Sequence, residues 1–276
     1  MKATPLHNLE SYDPDSFNRF YFLHIPKTSG VRLTTLNGPV QELPRFDHPQ
    51  MDDEHTLLPN GKTFRKLKHA FCSGEVYDRT KSAARFCSAF DFPFFNRDDT
   101  FVFTIVRNPF DPLCSYFHHH RLRGSSGGWG GCNHFHKCTD FERFLRVYCS
   151  KYTVWHVPIL HGNLYAQMFD TAGKCHVHVA LRYERMAQGL RMMNERFGLT
   201  FDWQDYDRRV NSFEDNQTSK NQNYKHYYSD EMVELVQEKC ARELSQFGYS
   251  FDGPTCESAF VDPRRVMYNP ILPNEF

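Results

Sequence analysis

The sequence predicts a three-layer α/β fold, a central, mainly parallel sheet flanked by helices, as a single domain over residues 1–276. Three observations predict it. The runs Phe20–Ile25 (FYFLHI) and Phe101–Val106 (FVFTIV) are short, apolar and aromatic, as strands buried on both faces of a parallel sheet are. Each is followed by a proline-marked turn and then a helical stretch, the alternation that builds parallel sheets. The composition supplies a core: 40% of residues are hydrophobic and 16% aromatic, including 26 Phe and 14 Tyr.

In chain order, residues 1–17 are polar and without periodicity, a lead-in to the strand Phe20–Ile25, which Pro26 ends. A helix is predicted over Ser29–Asn37, stopped by Gly38-Pro39, and residues 38–62 read as loop. Lys68–Ser73 (KHAFCS) is a second short strand and Tyr77–Ser88 a helix. After the strand Phe101–Val106, Asn108-Pro109 opens a helix running to about Arg121, since Pro fits a first turn. Residues 122–138 are a Gly/His/Cys-rich loop. Asp140–Cys149 is helical with Thr139 as cap, and Leu160–Asp170 is a further helix. His176–Leu181 alternates like a strand. Tyr183–Phe197 is a helix with Leu190, Met193 and Phe197 on one face. A long helix, capped by Ser229 or Asp230, runs to Phe247.

Charge and targeting signals exclude several functions. Lys plus Arg and Asp plus Glu both total 33, which argues against nucleic-acid partners and polybasic membrane binding. No apolar run reaches the roughly 18–20 residues a membrane span needs, and the N-terminus has no secretory h-region. Nine cysteines, scattered and odd in number, do not form a disulfide framework and are expected to be mostly reduced. The expected location is the cytoplasm; the alternative is the Golgi lumen, if an anchor preceding Met1 was removed. The oligomeric state is left open.

Two motifs stand at predicted strand ends, where parallel sheets bind ligands. The first is HIPKTSGVRL, residues 24–33: a strand turning through Pro26, Lys27, Thr28, Ser29 and Gly30 into a helix. Backbone N–H groups of such a turn, with the helix N-terminus, cradle an anion. Lys27 adds charge, Thr28 and Ser29 add hydroxyls, and Gly30 permits close approach. The second is TIVRNPFDPLCSYFHHHR, residues 104–121, with Arg107 at the strand end and Ser115 on the following helix. Arg presents a planar fork suited to phosphate.

Together these motifs resemble the sulfotransferases that use 3′-phosphoadenosine 5′-phosphosulfate (PAPS), and most nearly the carbohydrate branch with the heparan sulfate 2-O and 6-O enzymes. Residues 181–199 (LRYERMAQGLRMMNERFGL) are similar to that family's strand-Glu-helix segment, and residues 224–251 (YKHYYSDEMVELVQEKCARELSQFGYSF) to its C-terminal helix and closing FGY. The resemblance implies a P-loop-like fold, a hydroxyl-bearing acceptor, PAPS with adenosine 3′,5′-bisphosphate (PAP) as product, and no metal. It implies that Pro26, Lys27, Thr28, Ser29, Gly30, Val31 and Arg32 hold the 5′-phosphosulfate and that Arg107 and Ser115 hold the 3′-phosphate. Lys220 and Tyr224 fall in the segment that closes over the nucleotide. The chain departs from the family loop at Ser29, Val31 and Arg32, which stand in place of Gly, Thr and Ser.

Sulfuryl transfer to an alcohol needs a base for the hydroxyl proton and a cation for the developing charge. Lys27 is the candidate cation. Glu75, in CSGEVYD after the second strand, stands where relatives carry a His and is the first candidate base. His69 is the second, and one of His118, His119 and His120 the third, since neighbours on a helix point in different directions.

Cys132, His134, His136 and Cys138 lack the spacing of structural zinc sites, so no metal is assigned there, although a metal reading stays open. His176 and His178, on alternate residues, are expected on one face of a strand. Two other functions remain. One is a P-loop kinase-like transferase, for which GxxxxGK[ST] and an acidic magnesium strand are not visible. The other is a non-catalytic nucleotide-binding module of the same fold.

Overall fold

The computed structural model describes residues 9–24, 56–57, 61–68, 71–73, 86–88, 98–123, 138–149, 168–169, 174–204 and 223–265. Their strands are β1 (Arg19–His24), β2 (Thr56–Leu57), β3 (Thr63–Lys68), β4 (Phe71–Ser73), β5 (Phe86–Ser88), β6 (Thr100–Val106), β7 (Val179–Arg182), β8 (Tyr249–Ser250), β9 (Gly253–Pro254) and β10 (Phe260–Val261). The α-helices are α1 (Phe110–Arg123), α2 (Phe141–Cys149), α3 (Met186–Phe197), α4 (Asp230–Lys239) and α5 (Ala241–Phe247). The chain forms two compact units. One comprises Met1–Val106, Tyr165–Tyr206 and Ser258–Phe276, and the other Arg107–Leu164 and Asp207–Glu257.

The first unit holds a six-stranded sheet in the order β10-β7-β6-β1-β3-β2. β7, β6, β1 and β3 run parallel, and the outer strands β10 and β2 are antiparallel. The sheet is thus mixed and mainly parallel, as the α/β reading predicts. Every residue of β6 and of β7 is buried, which explains why FVFTIV shows no alternation. Phe20 stands opposite Phe101 and Phe22 opposite Phe103, with ring centroids 5.7 and 5.3 Å apart. Helix α3 brings Phe197 to 4.6 Å from the Phe101 ring. It approaches β7 closely at Gly189, where a Cβ would lie 3.1 Å from Leu181 Cδ2. Gly198, at φ 66°, ends α3 in the left-handed conformation that glycine adopts without steric cost.

Several elements differ from the sequence reading. The lead-in buries Leu9, Tyr12 and Phe17, and Tyr12 Oη donates to His178 O at 3.0 Å. Three contacts spaced by loop geometry leave no periodic trace. The strand beside β1 is β3, not Lys68–Ser73. The six residue pairs of β3 with β1, from Arg19 opposite Thr63 to His24 opposite Lys68, define it, although half of TFRKLK is charged. Phe71–Ser73 belongs to a separate antiparallel pair with Phe86–Ser88, so the end of the predicted helix Tyr77–Ser88 is a strand. Within the predicted loop 38–62, Thr56–Leu57 pairs as an edge strand. In the predicted helix Leu160–Asp170, Phe169 instead bridges Cys175. His176 and His178 precede β7 rather than lying in it. The His178 ring extends the ladder by another means: Nδ1 accepts from Val102 N–H at 3.0 Å, while His178 N–H donates to Val102 O at 2.8 Å.

The second unit is helical. Phe141, Phe144, Leu145 and Tyr148 make the buried face of α2, spaced i, i+3, i+4, i+7. Its cap is Asp140 rather than Thr139, because Asp140 Oδ1 accepts from Arg143 N–H at 2.8 Å. Ser229 caps α4. The predicted long helix breaks at Cys240 (φ −103°, ψ 19°) into α4 and α5. Cys240 N–H still reaches Val236 O at 2.8 Å, so the break is a kink, and with neither Gly nor Pro there it has no compositional signal. Among the described residues no helix is long and apolar enough to cross a membrane.

Candidate functional site

The RNPFD segment is fixed before α1 begins. Asn108 is 1% exposed. Its Nδ2 donates to Ser250 O at 2.7 Å and to Tyr224 Oη at 3.1 Å. Asp111 N–H donates to Asn108 O at 3.0 Å, and Phe110 N–H reaches Asn108 Oδ1 at 3.4 Å, so the same residue caps the helix. Pro109 follows it with no N–H to satisfy. Tyr224 Oη donates in turn to Phe251 O at 2.5 Å, and Tyr228 Oη to Phe110 O at 2.8 Å. The Tyr224 ring stacks on Phe110, 6.4 Å between centroids. The predicted nucleotide contact Tyr224 thus has its hydroxyl engaged at both ends within its own unit.

Between positions 107 and 118, Arg107, Asp111, Ser115 and His118 are half-exposed and the other residues are buried. Asp111 and Ser115 are one turn, about 6 Å of axial rise, apart on α1, and Arg107, just before the helix begins, is joined to Asp111 by an ion pair. Arg107 is 13% exposed, and its Nε and Nη2 both meet Asp111 Oδ2, at 2.7 and 2.5 Å. The partly desolvated guanidinium and the Ser115 hydroxyl are donors that suit a phosphate, whereas the Asp111 carboxylate is an acceptor that opposes one. His118 lies further along the same helix, edge-on to Tyr227 at 5.0 Å. His119 and His120 continue α1. The buried side of the helix is chemically quiet: burial pushes the Cys114 thiol and the Tyr228 phenol far above their ordinary ranges.

In the first unit, the carboxyl ends of β3, β1, β6 and β7 lie along one edge, at Lys68, His24, Val106 and Arg182. Arg182, opposite Val106 in register, is fully buried, a cation at this edge that sequence reading did not single out. Pro26, Lys27, Thr28, Ser29, Gly30, Val31 and Arg32 follow β1 by chain order and lie outside the described residues, as do His69, Glu75, Lys220, Cys132, His134 and His136. The strand of the main sheet that precedes both base candidates ends at Lys68, one residue before His69. Glu75 instead follows the hairpin strand β4. Cys138, the described member of the Cys/His cluster, is buried.

Sequence reading also passed over Asp111 and the structural role of Asn108. Arg-x-x-x-Asp spacing is the available signal for the first, and Asn before Pro for the second.

No protein-family model matches this chain, and no curated protein matches its sequence. Among solved structures, the chain is similar to a mouse sulfotransferase complexed with PAP. The TM-score is 0.41 at 16% identity, over 83% of this chain and 88% of that one.

Proposed function

We propose that this protein is a sulfotransferase that moves a sulfuryl group from PAPS to a hydroxyl of an acceptor, either a glycan or a small-molecule alcohol. The observation that carries the reading is the placement of β1. It lies between β3 on one side and β6 on the other, so chain order reverses direction between β1 and β6. Parallel sheets bind ligands outside the carboxyl ends at such a reversal. By chain order PKTSG follows β1 and RNPFD follows β6, and Leu23 of β1 stands opposite Thr104 of β6 in register.

PAPS, when bound, supplies the activated sulfuryl group. In this reading the Lys27–Arg32 segment takes the 5′ end, and Arg107 and Ser115 take the 3′-phosphate. Lys220 and Tyr224 would border the nucleotide, Tyr224 through its ring because its hydroxyl is engaged. Lys27 would counter the charge that develops on the leaving oxygen. Glu75, or His69 in second place, would accept the proton of the acceptor hydroxyl.

Calorimetric titration with PAP tests the binding site. Arg107→Ala is expected to weaken PAP more than tenfold, since a charge-assisted contact to an anion is worth about 1.5–3 kcal/mol. Unchanged affinity in a folded variant overturns the assignment. Sulfate transfer over a panel of glycans and small alcohols tests the activity. PAP binding without transfer to any of them leaves the non-catalytic nucleotide-binding module.

A further inference from the structure

We propose that Asp111 is a built-in competitor of the anion site: it neutralises Arg107 when no nucleotide is bound and opposes the phosphate that takes its place. This rests on Arg107 and Ser115 being the phosphate contacts. Both Nε and Nη2 of Arg107 are directed at one oxygen, Asp111 Oδ2, at 2.7 and 2.5 Å, so the carboxylate occupies one full edge of the guanidinium fork. Arginine binds an anion through such an edge. A phosphate must therefore displace Asp111 from it or take another edge with Asp111 still in place.

The position of Asp111 creates the conflict. Asp111 is in direct contact with Arg107 and lies one helical turn, about 6 Å of axial rise, from Ser115. An anion that touches both the guanidinium and the Ser115 hydroxyl comes to face the carboxylate. Both the direct ion pair and the one-turn spacing to Ser115 are shorter than the Debye length of about 8 Å at physiological salt, so the repulsion is not screened out. Partial burial sustains it, because the side chains are 13% and 25% exposed. Asp111 also pins the long Arg107 side chain, which helps any ligand. Repulsion of a doubly charged phosphate outweighs that help, since pinning one side chain saves a single side chain's ordering. Asp111 is then a residue that sets product affinity low enough for release.

The test titrates the full chain and its Asp111→Asn variant with PAP and with adenosine 5′-phosphate, which lacks the 3′-phosphate. Asn keeps the shape and an acceptor for Arg107 Nε but removes the charge. The expected result is PAP binding about 3–10-fold tighter, with adenosine 5′-phosphate unchanged and the gain shrinking as salt rises. Asp111→Ser, tolerated in a first helical turn, gives the same direction if the Asn variant folds poorly. Three outcomes overturn the proposal. PAP binding is unchanged or weaker in the variants while Arg107→Ala still loses more than tenfold, which spares the site and removes Asp111 from it. Both ligands tighten equally, which makes the effect one of overall charge. Arg107→Ala leaves PAP binding intact, which removes the site reading itself.

Discussion

Asn108 and Glu243 are buried polar side chains of the helical unit, 1% and 5% exposed, and their surroundings satisfy them differently. The Asn108 amide meets Ser250 O, Tyr224 Oη and Phe110 N–H, so its donor and acceptor sides are both used. Glu243 lies on α5 near Tyr148, whose hydroxyl has no hydrogen-bond partner among the described residues. Burial pushes the Glu243 carboxyl up to about 7, against the opposing pull of its own backbone N–H, Arg242 and Lys239. A neutral amide can be saturated by backbone groups that approach from several elements. The Glu243 carboxyl, with its own first-turn N–H and nearby cations outweighed by desolvation, stays buried by holding a proton.

The largest effect should come from removing the proton's role. The folded pKa of Glu243 lies above its ordinary 4.5, so the folded state binds a proton that the unfolded chain releases. Its stability contribution is full below about pH 4.5, falls as pH rises to about 7, and is level above that. Glu243→Gln should abolish this slope. Urea denaturation should find it close to wild type at pH 4.5 and more stable at pH 8, by up to about 3 kcal/mol. Equal pH profiles would place Glu243 with Asn108 as a satisfied group.

Asn108→Leu should act in the opposite sense. It leaves Ser250 O and Tyr224 Oη short of a donor and should cost about 2–3 kcal/mol at every pH, in the same denaturation series. The smallest change, Tyr224→Phe, removes one hydroxyl and leaves the ring against Phe110. It should cost about 1 kcal/mol and leave PAP affinity unchanged. A loss of affinity beyond the loss of stability would make the hydroxyl a ligand contact rather than part of the Asn108 network.

The same contrast divides what was legible in the sequence. The strands of the sheet centre and the apolar face of α2 are readable because burial imposes composition and spacing on them. Arg107 and Ser115 are readable as a motif. The burial of Tyr12, the strand over Thr63–Lys68 and the kink at Cys240 are not. Tyr12 and β3 each depend on a partner remote in sequence, His178 and β1, and the kink carries no local signal because neither Gly nor Pro marks it.

By itself, the sequence determined the α/β class, β1, β6 and the helix after Asn108-Pro109, because apolar runs, prolines and caps act within a few residues. It also placed Arg107 at the end of a strand and Ser115 on the following helix, since strand and helix signals act within the local chain. Tertiary structure alone decided that β1 lies between β3 and β6, that Asp111 rather than solvent takes the Arg107 fork, and that Glu243 is buried with a raised pKa. Strand order, ion pairing and desolvation are set by which distant groups meet, and no local pattern encodes the free energy of those meetings.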